Sequence, residues 1–130
     1  MPICHSAFLK MKDDASKADI DDFINTFNQF PKCIPGISRW TLGKVHPYYA
    51  VATDEWDYAA VMEWGSVKDL QPYMDHPIHK EVGPKLEKVV EKFLVIDYEF
   101  DQVVNSYDTW WESITIKRDR GVIETPTFEL

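Results

Sequence analysis

The residues from Tyr73 to His79 include a phenol and two imidazoles, side chains that can move protons without a cofactor. If His76 caps a helix whose first residue is Pro77, His79 is the third residue of that helix. The partial positive charge of a helix N-terminus disfavours an imidazolium, so we expect a neutral His79 that can accept a proton. A purely structural role, in which the ring caps or packs, stays open for His79.

Two further aspects of the sequence bear on such a site. Through its hydroxyl, Tyr73 could hold a carbonyl or enolate oxygen, or its ring could simply be buried with the oxygen in water. His5 lies on the apolar face of a strand-like segment, where it either faces a pocket or finds a backbone partner in the core. Tryptophans could line a flat aromatic ligand or fill the core and an interface, and the chain has five: Trp40, Trp56, Trp64, Trp110 and Trp111.

The sequence carries no recognised motif for a metal or an organic cofactor. His76 and His79 have a spacing that can hold a metal, but no cysteine or carboxylate at a recognised spacing completes a ligand set. The two cysteines, Cys4 and Cys33, form no metal or disulfide framework and are expected to be reduced thiols. Phosphate loops, nucleophile elbows and nicotinamide fingerprints are also missing. Cofactor-free acid/base chemistry fits this inventory: proton abstraction, aldol closure, dehydration or tautomerisation.

Composition limits the size and the partners of the protein. A chain of 130 residues suffices for one domain, and its net charge of −8 disfavours nucleic acid and anionic membranes as partners. No apolar run approaches the roughly 20 residues that span a bilayer, and the charged N-terminus does not resemble a signal peptide. We therefore expect a cytoplasmic protein with a small-molecule ligand.

The hydrophobic pattern alternates between strand and helix periods. Ile20, Phe23, Ile24, Phe27 and Phe30 share one face of a predicted helix that Ser16 caps. Pro77 begins a second long helix, on which Leu86, Val89, Val90 and Phe93 share a face. Residues 46–55 are predicted to be a polar loop, and a short helix follows Ser66. The strands are predicted at residues 3–11, 37–45, 57–64 and 94–100, and the first long helix at 16–30.

This order of elements, β-α-β-β-α-β, predicts an α+β domain of the ferredoxin-like type over residues 1–100. Helices in the two crossovers cover only one face of the sheet. The strands are apolar or aromatic on both faces, so we expect a second copy of the chain to cover the other face, giving a homodimer.

Residues 101–130 form a C-terminal extension. Trp110 and Trp111 indicate that it packs against something, and Ser113–Phe128 resembles a hairpin limited by Pro126. The extension is predicted to pack on the barrel, on the dimer partner or over the pocket. The more specific alternative is that the extension forms a lid over a bound ligand.

Several stretches together resemble the stress-responsive dimeric α/β-barrel (Dabb) family: ICHSAFLKMK, the PGI…W…GK segment at 35–44, DYAAVMEWGSVKDLQPYMDHPIHKEV at 57–82 and VIDYEF at 95–100. The resemblance spans nearly all of residues 1–100, and its most specific element is the Tyr-x-x-His-Pro-x-His run. It implies a ferredoxin-like unit whose sheet closes into a barrel with a second copy across a two-fold axis. The family includes plant stress proteins without settled chemistry and a plant polyketide cyclase that needs no cofactor.

The resemblance also implies roles for particular residues. By analogy with the cyclase, His79 would be the general base, Tyr73 its assistant and His5 a pocket residue. Phe27 and Ala60 stand where the cyclase has a tyrosine and a histidine. With Trp64, they are predicted to contact the substrate, and the less polar lining implies a different substrate.

The leading hypothesis is a cofactor-free acid/base enzyme of secondary metabolism. It would act on a polyketide-like or aromatic carbonyl substrate, as a lyase or isomerase. Two alternatives are a non-catalytic stress-responsive dimeric barrel and a cofactor-independent monooxygenase on a similar fold.

Overall fold

The computed structural model describes residues 1–101, apart from the side chains of Ala50, Val51 and Thr53. The predictions for the extension, including its hairpin and its Trp110-Trp111 pair, therefore lie outside the described residues. No helix within residues 1–101 has the length and the apolar character needed to cross a bilayer.

The described part of the chain alternates strands and helices in the predicted order, with short extra helices in the connections. A single 3₁₀ turn, Val67–Asp69, precedes the fourth helix. The elements are β1 (Ile3–Met11), α1 (Lys17–Phe27), α2 (Phe30–Cys33), β2 (Ile37–Lys44), α3 (Ala50–Glu55), β3 (Tyr58–Trp64), α4 (Leu70–Asp75), α5 (Pro77–Val89) and β4 (Val90–Glu99).

The four strands form one antiparallel sheet in the order β2-β3-β1-β4. This is the ferredoxin-like arrangement, so the predicted α+β fold class is confirmed. The core lies between one face of the sheet, represented by Ile3 and Leu9, and side chains of α1 and α5 such as Phe23 and Val82. Central strand β1 therefore presents its residues directly to the helices.

Both long helices begin where the sequence predicts. The Ser16 hydroxyl accepts a hydrogen bond from the backbone N–H of Asp19 at 3.1 Å. Nδ1 of His76 accepts one from the backbone N–H of Ile78 at 3.2 Å, and Pro77 occupies the first turn of α5. Each side chain satisfies an N–H group that the helix cannot pair internally.

Three local predictions were wrong. The first helix ends at Phe27. Phe30 begins a separate short helix, α2, because Pro31 can be accommodated in the first turn of a helix. The predicted loop at 46–55 contains α3. Val90 and Phe93 belong to β4 instead of the preceding helix, and Val90 pairs with Met11. Helix α5 passes into β4 without a turn, so no glycine or proline marks this boundary.

Strand β4 lies at an edge of the sheet and is open to solvent in the single chain. On the face away from the helices, Leu94, Ile96 and Tyr98 are 43%, 47% and 53% exposed. These residues lie opposite Phe8, Ser6 and Cys4 of β1 in the ladder. We call this face, formed by β1 residues such as Phe8 and by the three β4 residues, the outer face of the sheet.

Candidate active site

A cavity of about 410 Å³ lies between the inner face of the sheet and the helices. Phe23 and Phe27 line it from α1, Val82 and Leu86 from α5, and Phe93 and Val95 from β4. These walls are apolar, and the volume falls in the range of about 300–1,000 Å³ that is typical of small-molecule sites. The cavity is therefore suited to a ligand with a substantial apolar body.

Four polar side chains of the cavity wall come from four different elements. His5 lies on β1, Tyr73 on α4, His79 on α5 and Asp97 on β4. The sheet and the two helices therefore assemble this cluster from distant parts of the chain, and the sequence places only Tyr73 and His79 near each other.

Tyr73 is the centre of the cluster. Its ring meets the His79 ring edge-on at a centroid distance of 4.7 Å and the His5 ring at 5.6 Å. Trp64 packs against Tyr73 at 5.0 Å, and only 3% of Tyr73 is exposed. Because Tyr73 is packed against both imidazoles and an indole, its ring has little freedom to move.

The pKa values of Tyr73 and His79 follow from this packing. Burial is the main cause that raises the pKa of Tyr73 far above its ordinary value, and the Asp97 carboxylate adds to the effect. The phenol therefore stays protonated and can donate a hydrogen bond. Burial, with a smaller contribution from His5, lowers the pKa of His79. The predicted neutral imidazole is thus supported, although burial and not the helix N-terminus is the leading cause.

His5 is held by a carboxylate that sequence reasoning missed. Nδ1 of His5 contacts Oδ1 of Asp97, its directly opposite partner in the β1–β4 ladder. The His5 side chain is 11% exposed and that of Asp97 39% exposed. One signal was present in the sequence: Asp97 follows the apolar residues Phe93 and Val95 at alternate positions of one face of β4.

The remaining predicted substrate contacts divide into two groups. Phe27 lines the cavity and packs against the rings of Phe30 at 5.0 Å and Trp40 at 4.8 Å. Ala60 and Trp64 are each 1% exposed and lie in the core, outside the cavity wall. Trp64 therefore reaches the site through its contact with Tyr73.

The two histidines considered as metal ligands have other environments. His76 uses Nδ1 to cap α5, and His79 packs against Tyr73 and Phe30. Among residues 1–101 there is no group of three or more histidine, cysteine or carboxylate side chains placed to bind a metal ion.

Fold and site together define a ferredoxin-like α+β domain with an apolar cavity that carries one phenol, two imidazoles and a carboxylate. The chain belongs to the family described as the stress-responsive A/B barrel domain, whose model matches residues 3–100.

Known proteins of this kind include enzymes. The chain is 29% identical over 100 residues to olivetolic acid cyclase of Cannabis sativa. The aligned segment covers 75% of this chain and 96% of the cyclase. A hydroxynitrile lyase from Passiflora edulis has the same fold, with a TM-score of 0.67 and 23% identity over 79% of this chain and 96% of that one. A ferredoxin-like protein of unknown function from Thermobifida fusca, described as dimeric, has a TM-score of 0.67 and 19% identity over 77% and 92% of the two chains.

Proposed function

We propose that this protein is a cofactor-free acid/base enzyme that acts on an aromatic or polyketide-like carbonyl compound. One observation carries the proposal: the ring centroids of His79 and of the buried Tyr73 lie 4.7 Å apart in the wall of a ligand-sized apolar cavity, where burial lowers the pKa of His79. The family membership and the identity to a cyclase support the same reaction class.

In the proposed reaction His79 removes a proton from the carbon next to the substrate carbonyl. The C–H bond breaks, the proton moves to the imidazole, and the electron pair moves into the carbonyl as an enolate. Tyr73 donates its hydroxyl hydrogen bond to the enolate oxygen, where negative charge develops. A buried phenol with a raised pKa suits this task because it stays a donor throughout. His5, whose ring centroid lies 5.6 Å from that of Tyr73, orients the substrate.

The walls of the cavity select the rest of the substrate. Phe23, Phe27 and Phe93 offer aromatic surface, and the polar groups lie in the single cluster around Tyr73. A substrate with one reactive polar head and an aryl or alkyl body would match this distribution. A barrel protein without a substrate would not require a cavity of about 410 Å³ with convergent acid/base groups.

We further propose that the protein acts as a homodimer, in which a second copy covers the outer face. Leu94, Ile96 and Tyr98 form an exposed apolar strip on this face of the single chain. Isolated exposed apolar residues are common, but a contiguous strip is typical of a protein interface. The dimeric state of a structural neighbour of this fold supports the proposal.

Deuterium uptake tests the catalytic proposal without knowledge of the natural substrate. The probe is 4-phenylbutan-2-one, a ketone with an aryl body, incubated in D₂O and followed by proton NMR. The wild-type protein is expected to accelerate exchange next to the carbonyl, and His79→Ala to reduce this acceleration at least about 100-fold. His46→Ala, at an exposed histidine outside the cavity, is the control and should behave as wild type.

Retention of full exchange activity by His79→Ala would refute the role of His79. Absence of any acceleration by the wild-type protein with this probe and a set of aryl ketones would favour the non-catalytic alternative.

A further inference from the structure

A second cavity, of about 450 Å³, lies at the C-terminal end of β1, away from His5. Its wall is formed by the ends of β1 and β2, the start of β3 and the N-terminal part of α1. Within residues 1–101 it has no lining residue in common with the cavity that carries Tyr73 and His79. We call it the lysine cleft, because Lys10, Lys12 and Lys44 line it.

Part of the wall of the lysine cleft is apolar and aromatic. Met11 is buried there, and Ile20, Trp56 and Tyr58 are half-buried. The Trp56 ring also packs against Phe8, at a centroid distance of 6.0 Å, so its position is fixed from the side of β1. A flat apolar ligand can therefore lose water against two aromatic rings.

The charges that line the lysine cleft leave one positive charge in excess. Three ammonium groups face two carboxylates, Asp13 and Asp57. Asp57 is engaged within the fold, since Oδ2 accepts a hydrogen bond from the backbone N–H of Met11 at 2.7 Å and Oδ1 lies 3.7 Å from Nζ of Lys10. The excess contrasts with the chain as a whole, whose net charge is −8.

Lys12 and Lys44 supply the positive charge that a ligand would meet. Nζ of Lys12 donates a hydrogen bond to the backbone carbonyl of Glu87 at 2.7 Å, which positions the ammonium without neutralising it. No carboxylate of residues 1–101 lies within 4 Å of either ammonium. Beside an apolar wall, where less water screens the charges, such groups attract an anion more strongly than they would in bulk water.

We propose that the lysine cleft is a second ligand site, which binds an aromatic monocarboxylate. The ring of the ligand lies against Trp56 and Tyr58, and its carboxylate pairs with the ammonium groups of Lys12 and Lys44. One carboxylate matches the single excess charge, whereas a neutral ligand would leave that charge unmatched. The site is separate from the proposed active site, so this inference does not rest on the proposed function.

The indole N–H signals in ¹H–¹⁵N correlation spectra locate a bound ligand without any turnover. The probe is 2-naphthoate, and the neutral reference is 2-naphthamide, which has the same rings. 2-Naphthoate is expected to shift the signal of Trp56 and to bind at least about fivefold more tightly than 2-naphthamide. Trp64 packs against Tyr73 and reports on the other cavity, so its signal should stay in place. Loss of a signal in Trp56→Phe or Trp64→Phe assigns it.

A matched pair of lysine variants separates direct contact from a general effect of charge. Lys44→Gln should weaken binding of 2-naphthoate at least about threefold and leave binding of 2-naphthamide unchanged. Lys68→Gln makes the same charge change at an exposed lysine outside the cleft and should bind 2-naphthoate as wild type does. Lys44→Arg keeps the charge and should keep most of the affinity.

Three results would overturn the inference: equal affinities for the two ligands, a shift of the Trp64 signal without one of Trp56, or equal losses in Lys44→Gln and Lys68→Gln. Circular dichroism of each variant verifies that its fold is retained. Deuterium uptake by the ketone is measured separately, so failure of the proposed reaction and failure of the lysine cleft can be distinguished.

Discussion

The edge of the Tyr73 ring meets the His79 imidazole at an interplanar angle of 80°, with the ring centroids 4.7 Å apart. The two residues are on consecutive helices, and the junction at His76 and Pro77 turns the chain between them. A phenol that stays protonated and an imidazole that stays neutral are thereby held in one cavity wall.

Tyr73→Phe removes the hydroxyl and keeps the ring that packs against Trp64. We expect ketone exchange to fall about 100-fold, because the enolate loses its hydrogen-bond donor. The free energy of unfolding should change little, since the ring contacts stay. Exchange kinetics together with urea denaturation measure both effects. A large loss of stability with unchanged exchange per folded molecule would show that Tyr73 is only structural.

The lowered pKa of His79 predicts how exchange depends on pH. The base must be unprotonated, so the rate should rise with pH through the pKa of His79, which lies below the ordinary value of about 6.5, and level off near neutrality. An NMR titration of the His79 ring protons, assigned by their loss in His79→Gln, measures this pKa directly. A His79 that titrates above the ordinary value would contradict the assigned base.

The same shift predicts a contribution of His79 to stability. In the unfolded chain His79 takes up a proton near its ordinary pKa, whereas the folded protein takes it up only at lower pH. As the pH falls below about 6.5 the free energy of unfolding should therefore decrease, and this decrease ends below the folded pKa. Urea denaturation of wild type and His79→Gln at several pH values isolates the effect. If the free energy of unfolding of wild type rises relative to that of His79→Gln as the pH falls through this interval, the predicted direction of the effect is contradicted.

Phe30 packs against both Tyr73 and His79. It is fully buried, and its ring lies 5.9 Å from each of Tyr73 and His79. Phe30→Ala should lower the free energy of unfolding by about 3–5 kcal/mol, since it leaves a cavity in the core. Tyr48→Ala, at an aromatic residue that is 78% exposed, is the matched control and should cost far less. Equal effects of the two substitutions would show that Phe30 is not the packing centre that the structure indicates.

The outer face of the sheet predicts the oligomeric state. Ile96→Lys places a charge in the apolar strip of β4, and we expect it to shift the proposed dimer to monomer in light scattering. Val67→Lys also introduces a lysine, at a 52% exposed residue in the 3₁₀ turn that follows β3, and should leave the dimer intact. A monomeric wild-type protein, or a dimer insensitive to Ile96→Lys, would contradict the role of this face.

Much of the fold could be predicted because local signals determine it. The alternation of β1 and the caps at Ser16 and His76 depend on neighbouring residues only, and the structure confirms them. The boundary between α5 and β4 could not be predicted, since Val90 and Phe93 fit a helix face as well as a strand. Residues 46–55 lack an apolar period, which concealed α3.

The candidate site was predictable where its residues are close in sequence. Tyr73 and His79 belong to one motif, and both line the cavity. Asp97 was missed because its importance depends on the pairing of β4 with β1, which joins residues 92 positions apart. Ala60 and Trp64 were expected to contact substrate. The position of the helices on the sheet decides whether a strand residue faces the cavity or the core, and the sequence does not give that position.

The coupling between Tyr73 and His79 is the most direct measure of the catalytic account. Deuterium uptake by 4-phenylbutan-2-one is compared for wild type, Tyr73→Phe, His79→Ala and the double variant. If the phenol stabilises the enolate that the imidazole creates, the double variant should be no slower than His79→Ala alone. Losses that simply multiply would show that the two side chains act independently and would contradict the account.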